Sequence, residues 1–261
     1  KGYLRMQKTA TILFLMFFTV LVLFTGLAQA QEFVTDGLVA FYSFDKDTVK
    51  GDTLNDVFGK ENAKIFEKPK LVPGKFGEAF EFQAKGYVEI PKLGDWEQVS
   101  IECWANVKQL IGTQGIVSTW MWAAGKVHFK FRETADGGEI QVHKNDGVKI
   151  RMMKCKEEQW YHIIYTSDPK DGGAKSLKLY VDGELIQEGQ AGKTPENMNE
   201  RRIGSEHNGR FLNGMIDEVR IYDRILTEKE VKQNFKIKSN KLAVDPADKV
   251  ATTWGYLKSK I

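Results

Sequence analysis

Leu177-Lys178-Leu179-Tyr180-Val181-Asp182-Gly183-Glu184-Leu185-Ile186-Gln187 is the stretch on which the fold turns. Two runs with strand character flank Asp182-Gly183. Asp-Gly between two such runs is the strongest short hairpin signal, because a type I′ turn needs positive φ at both central positions. The stretch therefore predicts strands over Leu177–Val181 and Glu184–Gln187, paired antiparallel.

Working outward, period-two alternation continues nearly everywhere after residue 36. Leu38, Ala40, Tyr42 and Phe44 alternate with Val39, Phe41 and Ser43 in a strand with apolar residues on both sides. Phe80, Phe82, Tyr87, Val88 and Ile90 mark two more strands. Over Val99 to Val107, Ile101, Cys103, Ala105 and Val107 share one face and Trp104 takes the other. Further strands are expected at Ile116–Trp122, Val127–Phe131, Glu139–His143, Val148–Met152, Trp160–Thr166 and Phe211–Ile221. About a dozen short strands with Gly, Asp and Asn turns argue a sandwich or barrel. One helix breaks the rule. Thr227-Glu228-Lys229-Glu230 fits a capping box, with Thr227 at N-cap and Glu230 at N3, and Val231 and Phe235 are expected to face the sandwich.

The ends read differently from the body. Lys1, Arg5 and Lys8 precede an uncharged apolar run from Thr9 through Thr25, which ends in Leu27-Ala28-Gln29-Ala30. Basic start, apolar run and A-x-A site together read as a secretory signal peptide over residues 1–30. The expected location is secreted or at the cell surface, with membrane attachment only if the signal segment stays uncleaved. Residues 236–261 read as a Lys-rich tail. The chain carries 38 Lys and Arg against 35 Asp and Glu, and removing the three basic residues of the signal leaves it formally neutral. No basic footprint for nucleic acid remains. The two cysteines, Cys103 and Cys155, are open to two readings in an exported chain. One is a disulfide; the other is a pair of buried free thiols in strands. With four scattered His they give no zinc-ligand spacing.

The residues also carry a family resemblance. Gly37-Leu38-Val39-Ala40-Phe41-Tyr42-Ser43-Phe44-Asp45 resembles the opening strand of laminin-G/concanavalin A-like domains. Gly74-Lys75-Phe76-Gly77-Glu78-Ala79-Phe80-Glu81-Phe82, Trp160-Tyr161-His162, Leu179-Tyr180-Val181-Asp182-Gly183 and Gly214-Met215-Ile216-Asp217-Glu218-Val219-Arg220-Ile221-Tyr222 are similar to further family segments, in family order. The resemblance covers about residues 37–234. It implies an all-β jelly-roll sandwich of two antiparallel sheets with one short C-terminal helix, over residues 31–235. It also implies a binding module, most often for glycans or extracellular proteins, often with a structural Ca2+; fold alone names no ligand.

Three kinds of site were sought. For calcium, the family's early loop corresponds to Asn55–Ala63. Asp56, Gly59 and Asn62 survive there, while Phe58 and Lys60 depart from the pattern. Asp217, an acid in an apolar stretch, is the candidate to share a cation with Asp45 or Asp56. The plainer reading is a surface turn, with Asp217 satisfied by backbone N–H groups. For sugar, Trp120 and Trp122 are two apart and so face the same way on a strand, beside the turn Ala123-Ala124-Gly125, with Arg132 on the next strand. The alternative is that one or both fill the core, the commoner fate of Trp; Trp104 and Trp160 are assigned to the core outright. For catalysis, no E-x-D-x-x-E strand, G-x-S-x-G elbow or phosphate loop occurs. Glu139 and His143 share a strand face and could do acid–base work, though such pairs are more often solvated.

The sequence thus predicts a non-catalytic extracellular binding module for carbohydrate or surface protein. A glycoside hydrolase or lyase on the same fold, and a structural or adhesive surface protein, are the alternatives.

Overall fold

The computed structural model describes residues 32–83 and 85–237. The expected signal peptide, and the tail beyond Ile237, lie outside them. The Asp182-Gly183 hairpin forms as read, between Leu177–Val181 and Glu184–Gly189. Both turn residues have positive φ, 51° and 82°. Gly183 is required twice, because a Cβ there would lie 2.9 Å from the Phe235 ring. Asp182 Oδ1 accepts from the backbone N–H of His162 at 2.9 Å, tying the turn to the next strand.

That strand, Trp160–Ser167, begins the back layer. Its order runs Glu184–Gly189, Leu177–Val181, Trp160–Ser167, Val99–Val107, Asn213–Tyr222, Glu78–Gln83 and Lys70–Pro73, with Leu38–Tyr42 also paired to Asn213–Tyr222. The front layer holds two hydrogen-bonded sheets. One is Thr113–Gly115, Val127–Thr134, Gly137–Lys144 and Lys149–Cys155. The other runs Val117–Thr119, Arg201–Ile203, Tyr87–Glu89, Ala63–Phe66, Thr53–Leu54 and Val49–Lys50. The two meet where Phe129 N–H donates to Ser118 Oγ at 2.9 Å and Ile116 N–H to Phe129 O at 2.8 Å. All these pairings are antiparallel, so the all-β sandwich is as read.

Between the layers lies the main core, with Tyr42, Phe44, Phe80, Phe82, Ile101, Phe129, Phe131 and Tyr165 all buried. Each large apolar side chain so buried contributes roughly 1.5–3 kcal/mol. A second, smaller core lies on the outside of the back sheet. There Phe33, Phe41, Ile164, Tyr180, Tyr222, Leu226, Val231 and Ile237 pack together. This is why all nine residues of Val99–Val107 are buried, on both faces. The helix Glu228–Phe235 covers this side. Its capping box is complete: Thr227 Oγ1 accepts from Glu230 N–H, and the Glu230 carboxylate accepts from Thr227 N–H. Val231 and Phe235 do face the sandwich, Phe235 against Trp104 and His162 at 6.0 and 5.7 Å.

Buried charges staple these parts. Glu102 accepts from Arg220 at 2.9 Å and from Asn234 at 2.6 Å, and pairs with His162 at 3.0 Å. Arg220 also bonds Glu218, and its guanidinium lies 4.3 and 4.4 Å from the rings of Phe33 and Phe41. Asn234 in turn accepts from Val34 N–H at 2.8 Å. One network therefore holds the helix, the back sheet and the segment before the first strand.

Three details differ from the sequence reading, and one that it left open is decided. The strand expected over Ile116–Trp122 stops at Thr119, so Trp120 and Trp122 lie beyond it and strand alternation does not govern where they point. Trp160 is half-buried rather than a core residue, because it starts its strand. Ile237, placed with the tail, joins the smaller core. Cys103 and Cys155 are separate buried thiols, so of the two cysteine readings the structure takes the unbridged one. Cys103 sits mid-sheet in the back layer, whereas Cys155 pairs with Gly138 in the front layer. Burial raises both thiols, Cys155 to about 12, which keeps them protonated and unreactive.

Candidate functional site

The site is built on the outer face of the front layer. Val127, Phe129 and Phe131 enter the core, so His128, Lys130 and Arg132 face out from the same strand. On the neighbouring strand Ile140 and Val142 enter the core, leaving Glu139, Gln141 and His143 outside. Cross-strand register aligns these residues in rows. His128 is opposite His143, which is opposite Lys149; Lys130, Gln141 and Arg151 form a second row; Arg132, Glu139 and Met153 a third. The three rows span about 13 Å along the strands, at roughly 3.3 Å per residue.

This outer face is not a simple solvated surface. His128, Glu139 and Gln141 are each about 1% exposed, and Lys130 is 7% exposed. Glu206, brought in from a strand far along the chain, explains part of this. Its Oε1 is 2.5 Å from His128 Nδ1, 3.1 Å from Lys130 Nζ and 3.4 Å from Arg210. Glu139 accepts from Gln141, with Arg132 and Arg151 at 3.5 and 3.6 Å. Trp122 closes the His128–His143 end. Its ring lies 4.2 Å from His128 and 4.7 Å from His143, yet it remains 43% exposed. At the other end, Arg132 borders an open pocket with Gly112, Thr113, Glu133, Thr134 and Ala135.

The electrostatics follow from burial. Burial pushes His143 down to about 4, helped by Lys149 and Lys130, so it is neutral at pH 7. Burial also lowers His128, against the pull of Glu206. Burial would raise Glu206, but His128 and Lys130 outweigh it and hold the carboxylate ionised. A neutral His128 then donates from Nδ1 to Glu206. Its Nε2, like Glu206 Oε2, is a buried acceptor without a hydrogen-bond partner among the described residues.

The sequence-predicted sugar residues separate. Trp122 and Arg132 stand on this face. Trp120 belongs to a neighbouring stack, in which the Arg202 guanidinium lies 3.8 Å from Trp120 and 4.1 Å from Tyr87, with Phe66 stacked on Tyr87 at 4.6 Å. Neither Trp enters the core clusters. Glu139 and His143 do share the face but are two rows apart, and each has other neighbours. Glu206, Lys130 and Gln141 were missed. A polar period-two stripe at 128, 130 and 132, and again at 139, 141 and 143, is the signal that could have found two of them.

The four calcium candidates were tested as a donor set. Asp56 Oδ1 accepts from Phe41 and Phe58 N–H, its Oδ2 accepts from Glu61 N–H, and Asn62 Oδ1 accepts from Asp56 N–H. Asp45 Oδ1 accepts from Glu78 N–H, and Asp217 Oδ2 from Lys75 and Phe76 N–H. The loop around Asp56 is thus braced by its own amides. Asp45 and Asp217 flank the separate turn from Gly74 to Glu78. A calcium cage needs six to eight oxygens; here N–H donors engage both oxygens of Asp56 and one each of Asp45, Asn62 and Asp217. Among the described residues no group of three or more His, Cys, Asp or Glu side chains could hold a metal. Asp45, Asp56 and Asp217 form no such group. Asp217 Oδ1 is buried without a hydrogen-bond partner among the described residues.

A family model described as the concanavalin A-like lectin/glucanases superfamily matches residues 82–232. That is more than half of the chain, and the chain belongs to this superfamily, as its ordered motifs imply. Similar solved structures carry the same fold. Domain 4 of AbnA, an extracellular arabinanase from Geobacillus stearothermophilus solved with arabinotriose, is 20% identical at a TM-score of 0.59, covering 76% of this chain and 98% of that one. Trypanosoma rangeli sialidase is 16% identical at 0.59, and this chain spans 33% of it while 77% of this chain is covered. The binding domain of Paraclostridial Mosquitocidal Protein 1 is 18% identical at 0.56, with 77% of this chain and 52% of that one covered. At these identities the likeness is one of fold. No curated protein matches the chain by sequence.

Proposed function

We propose that this protein is an extracellular carbohydrate-binding module that performs no chemistry of its own and takes its glycan across the outer face of the front layer. The observation that carries the reading is Trp122, a large ring 43% exposed yet braced on two sides by His128 and His143. An aromatic face presented this way can stack on the apolar face of a pyranose, and the orienting cost is already met by the fold. Beside it, the half-exposed Arg132 and Arg151 side chains offer N–H donors that sugar hydroxyls can meet. The sandwich neighbours include an arabinanase domain solved with arabinotriose, which supports a glycan over other ligands. The A-x-A pattern at Ala28-Gln29-Ala30 supports export.

Glu139 and Glu206 on one face are what a hydrolase would require of this fold. Glu206 argues against that use, since a general acid needs a raised pKa and Glu206 is lowered. A glycan array on the purified protein, followed by a reducing-end release assay on each polysaccharide bound, tests both parts. Binding that Trp122→Ala removes, without release, is expected. Absence of any polysaccharide binding overturns the reading, and release of reducing ends that Glu206→Gln abolishes would establish the hydrolase instead.

A further inference from the structure

We infer that the glycan taken by this face is acidic, carrying carboxylate or sulfate groups. This rests on the glycan-binding reading above and narrows it. The three rows, with Arg210 added, hold five basic side chains: Lys130, Arg132, Lys149, Arg151 and Arg210. They hold two carboxylates, Glu139 and Glu206. A neutral sugar can accept hydrogen bonds from these groups but brings no charge to balance the excess, whereas an anionic one forms the stronger charge-assisted bonds.

Lys130 is consumed internally by Glu206 at 3.1 Å, but the arginines are not. Glu139 faces both Arg132 and Arg151, at 3.5 and 3.6 Å, distances too long for good hydrogen bonds. Each guanidinium has five donors, and one buried carboxylate cannot satisfy two of them. The Arg132, Arg151 and Arg210 side chains are about half exposed, at 47, 50 and 47%. Their free edges therefore point to where a ligand would lie. Lys149 is exposed at the end of the His128–His143 row. Arg132 and Arg151 lie on the two strands flanking Glu139, so a chain crossing the sheet meets both. Guanidinium forks favour planar anions with paired oxygens, which describes uronate carboxylates and also suits sulfate esters. Trp122, at one end, supplies the ring contact, and the cations supply the sign.

A plain solvated surface is the competing account. It does not explain why Lys130, Glu139 and Gln141 are buried within this face, nor why the two buried carboxylates are each crowded by more than one cation.

The test is calorimetric titration of the full chain with polygalacturonate, dextran sulfate, arabinan and galactan, in 50 and 500 mM NaCl. The two acidic polymers separate carboxylate from sulfate recognition. They are expected to bind at least about tenfold more tightly than the neutral polymers, and to weaken in high salt as charge is screened. Arg132→Gln with Arg151→Gln is expected to lower acidic-polymer affinity by about tenfold or more, the loss of one or more charge-assisted hydrogen bonds. Because that double change leaves Glu139 buried without cations, Lys149→Gln with Arg210→Gln is the second variant, and the same direction is expected. Lys175→Gln, whose ammonium pairs with Glu188 of the back layer at 2.9 Å, should leave affinity unchanged. If neutral polymers bind as tightly, or the charge variants lose nothing, the acidic assignment is overturned while glycan binding stands. If no polysaccharide of either kind binds, the glycan reading falls and the assignment with it.

Discussion

Replacing Asp217 with Asn should stabilise this protein at neutral and alkaline pH. Asp217 is fully buried in the closing strand. There the register shifts between Asp217 and Arg220, and Glu218 takes a φ of 56°. This bulge turns two acids into protein rather than solvent. Asp217 Oδ2 accepts from Lys75 and Phe76 N–H at 2.8 and 3.0 Å, while Oδ1 has no partner among the described residues. Burial, then the charge of Glu218 and more weakly that of Asp45, raises the carboxyl from 3.8 to about 8, against the two amide bonds. Between those values the folded chain keeps a proton that the unfolded chain has lost. The unfolded state therefore binds fewer protons, and stability falls as pH rises through the window, by about 1.4 kcal/mol per pH unit. Below 3.8 the contribution is fully present; above 8 it is gone. By pH 7 the loss is on the order of 4 kcal/mol. Asn is neutral at every pH and can accept the same two amide bonds. Part of that sum is kept back by desolvation of the new amide, so a gain of about 1–3 kcal/mol is expected at pH 7–8. Urea unfolding of both proteins at pH 4, 6 and 8 measures it, and the difference between the two curves cancels the titrating groups that do not sense Asp217. If Asp217→Asn is less stable at pH 8, or the difference does not grow with pH, the reasoning fails. Adding Ca2+ should leave the difference unchanged, since a metal held by Asp217 would stabilise the parent protein only.

Other perturbations probe different parts. Arg220→Met removes the cation between Glu102 and Glu218; taking the shared cation from two buried carboxylates should cost about 3–5 kcal/mol in denaturant unfolding, and a loss under 1 kcal/mol would contradict the network. Alkylation followed by mass measurement of the unfolded, unreduced protein should count two free thiols, and a reductant should not move Tm; a single bridged species would refute the separate burial of Cys103 and Cys155. Trp120→Ala should cost about 1–2 kcal/mol of stability by dismantling its stack with Arg202, whereas Trp122→Ala should cost less than about 1 kcal/mol and act on glycan affinity instead; the opposite pattern would reverse their roles.

Much of the fold was written in local pattern. Asp182-Gly183 could be read because a type I′ turn restricts residue type at two adjacent positions. The Thr227–Glu230 box was legible for the same reason, since both of its hydrogen bonds fall within four residues. The bulge at Asp217-Glu218 was not, because nothing in its own alternation announces an extra residue; the partner strand reveals it. The site was half legible. Arg132 and Trp122 were found as a charged and an aromatic residue near a turn. Glu206 was not, since its link to His128 spans 78 residues and depends on how the front sheets join. Pairing Trp120 with Trp122 failed for a related reason: the strand ends at Thr119, and beyond it period two has no force.

The most direct test of glycan binding at this face follows the six indole N–H signals of the protein, assigned by single Trp→Phe changes, during titration with an acidic oligosaccharide. The Trp122 signal should move with the largest shift, saturate with the binding isotherm, and be accompanied by His128 and His143 ring signals, while Trp104 in the opposite layer stays still. Saturable binding that leaves Trp122 unmoved would place the ligand elsewhere and contradict the account.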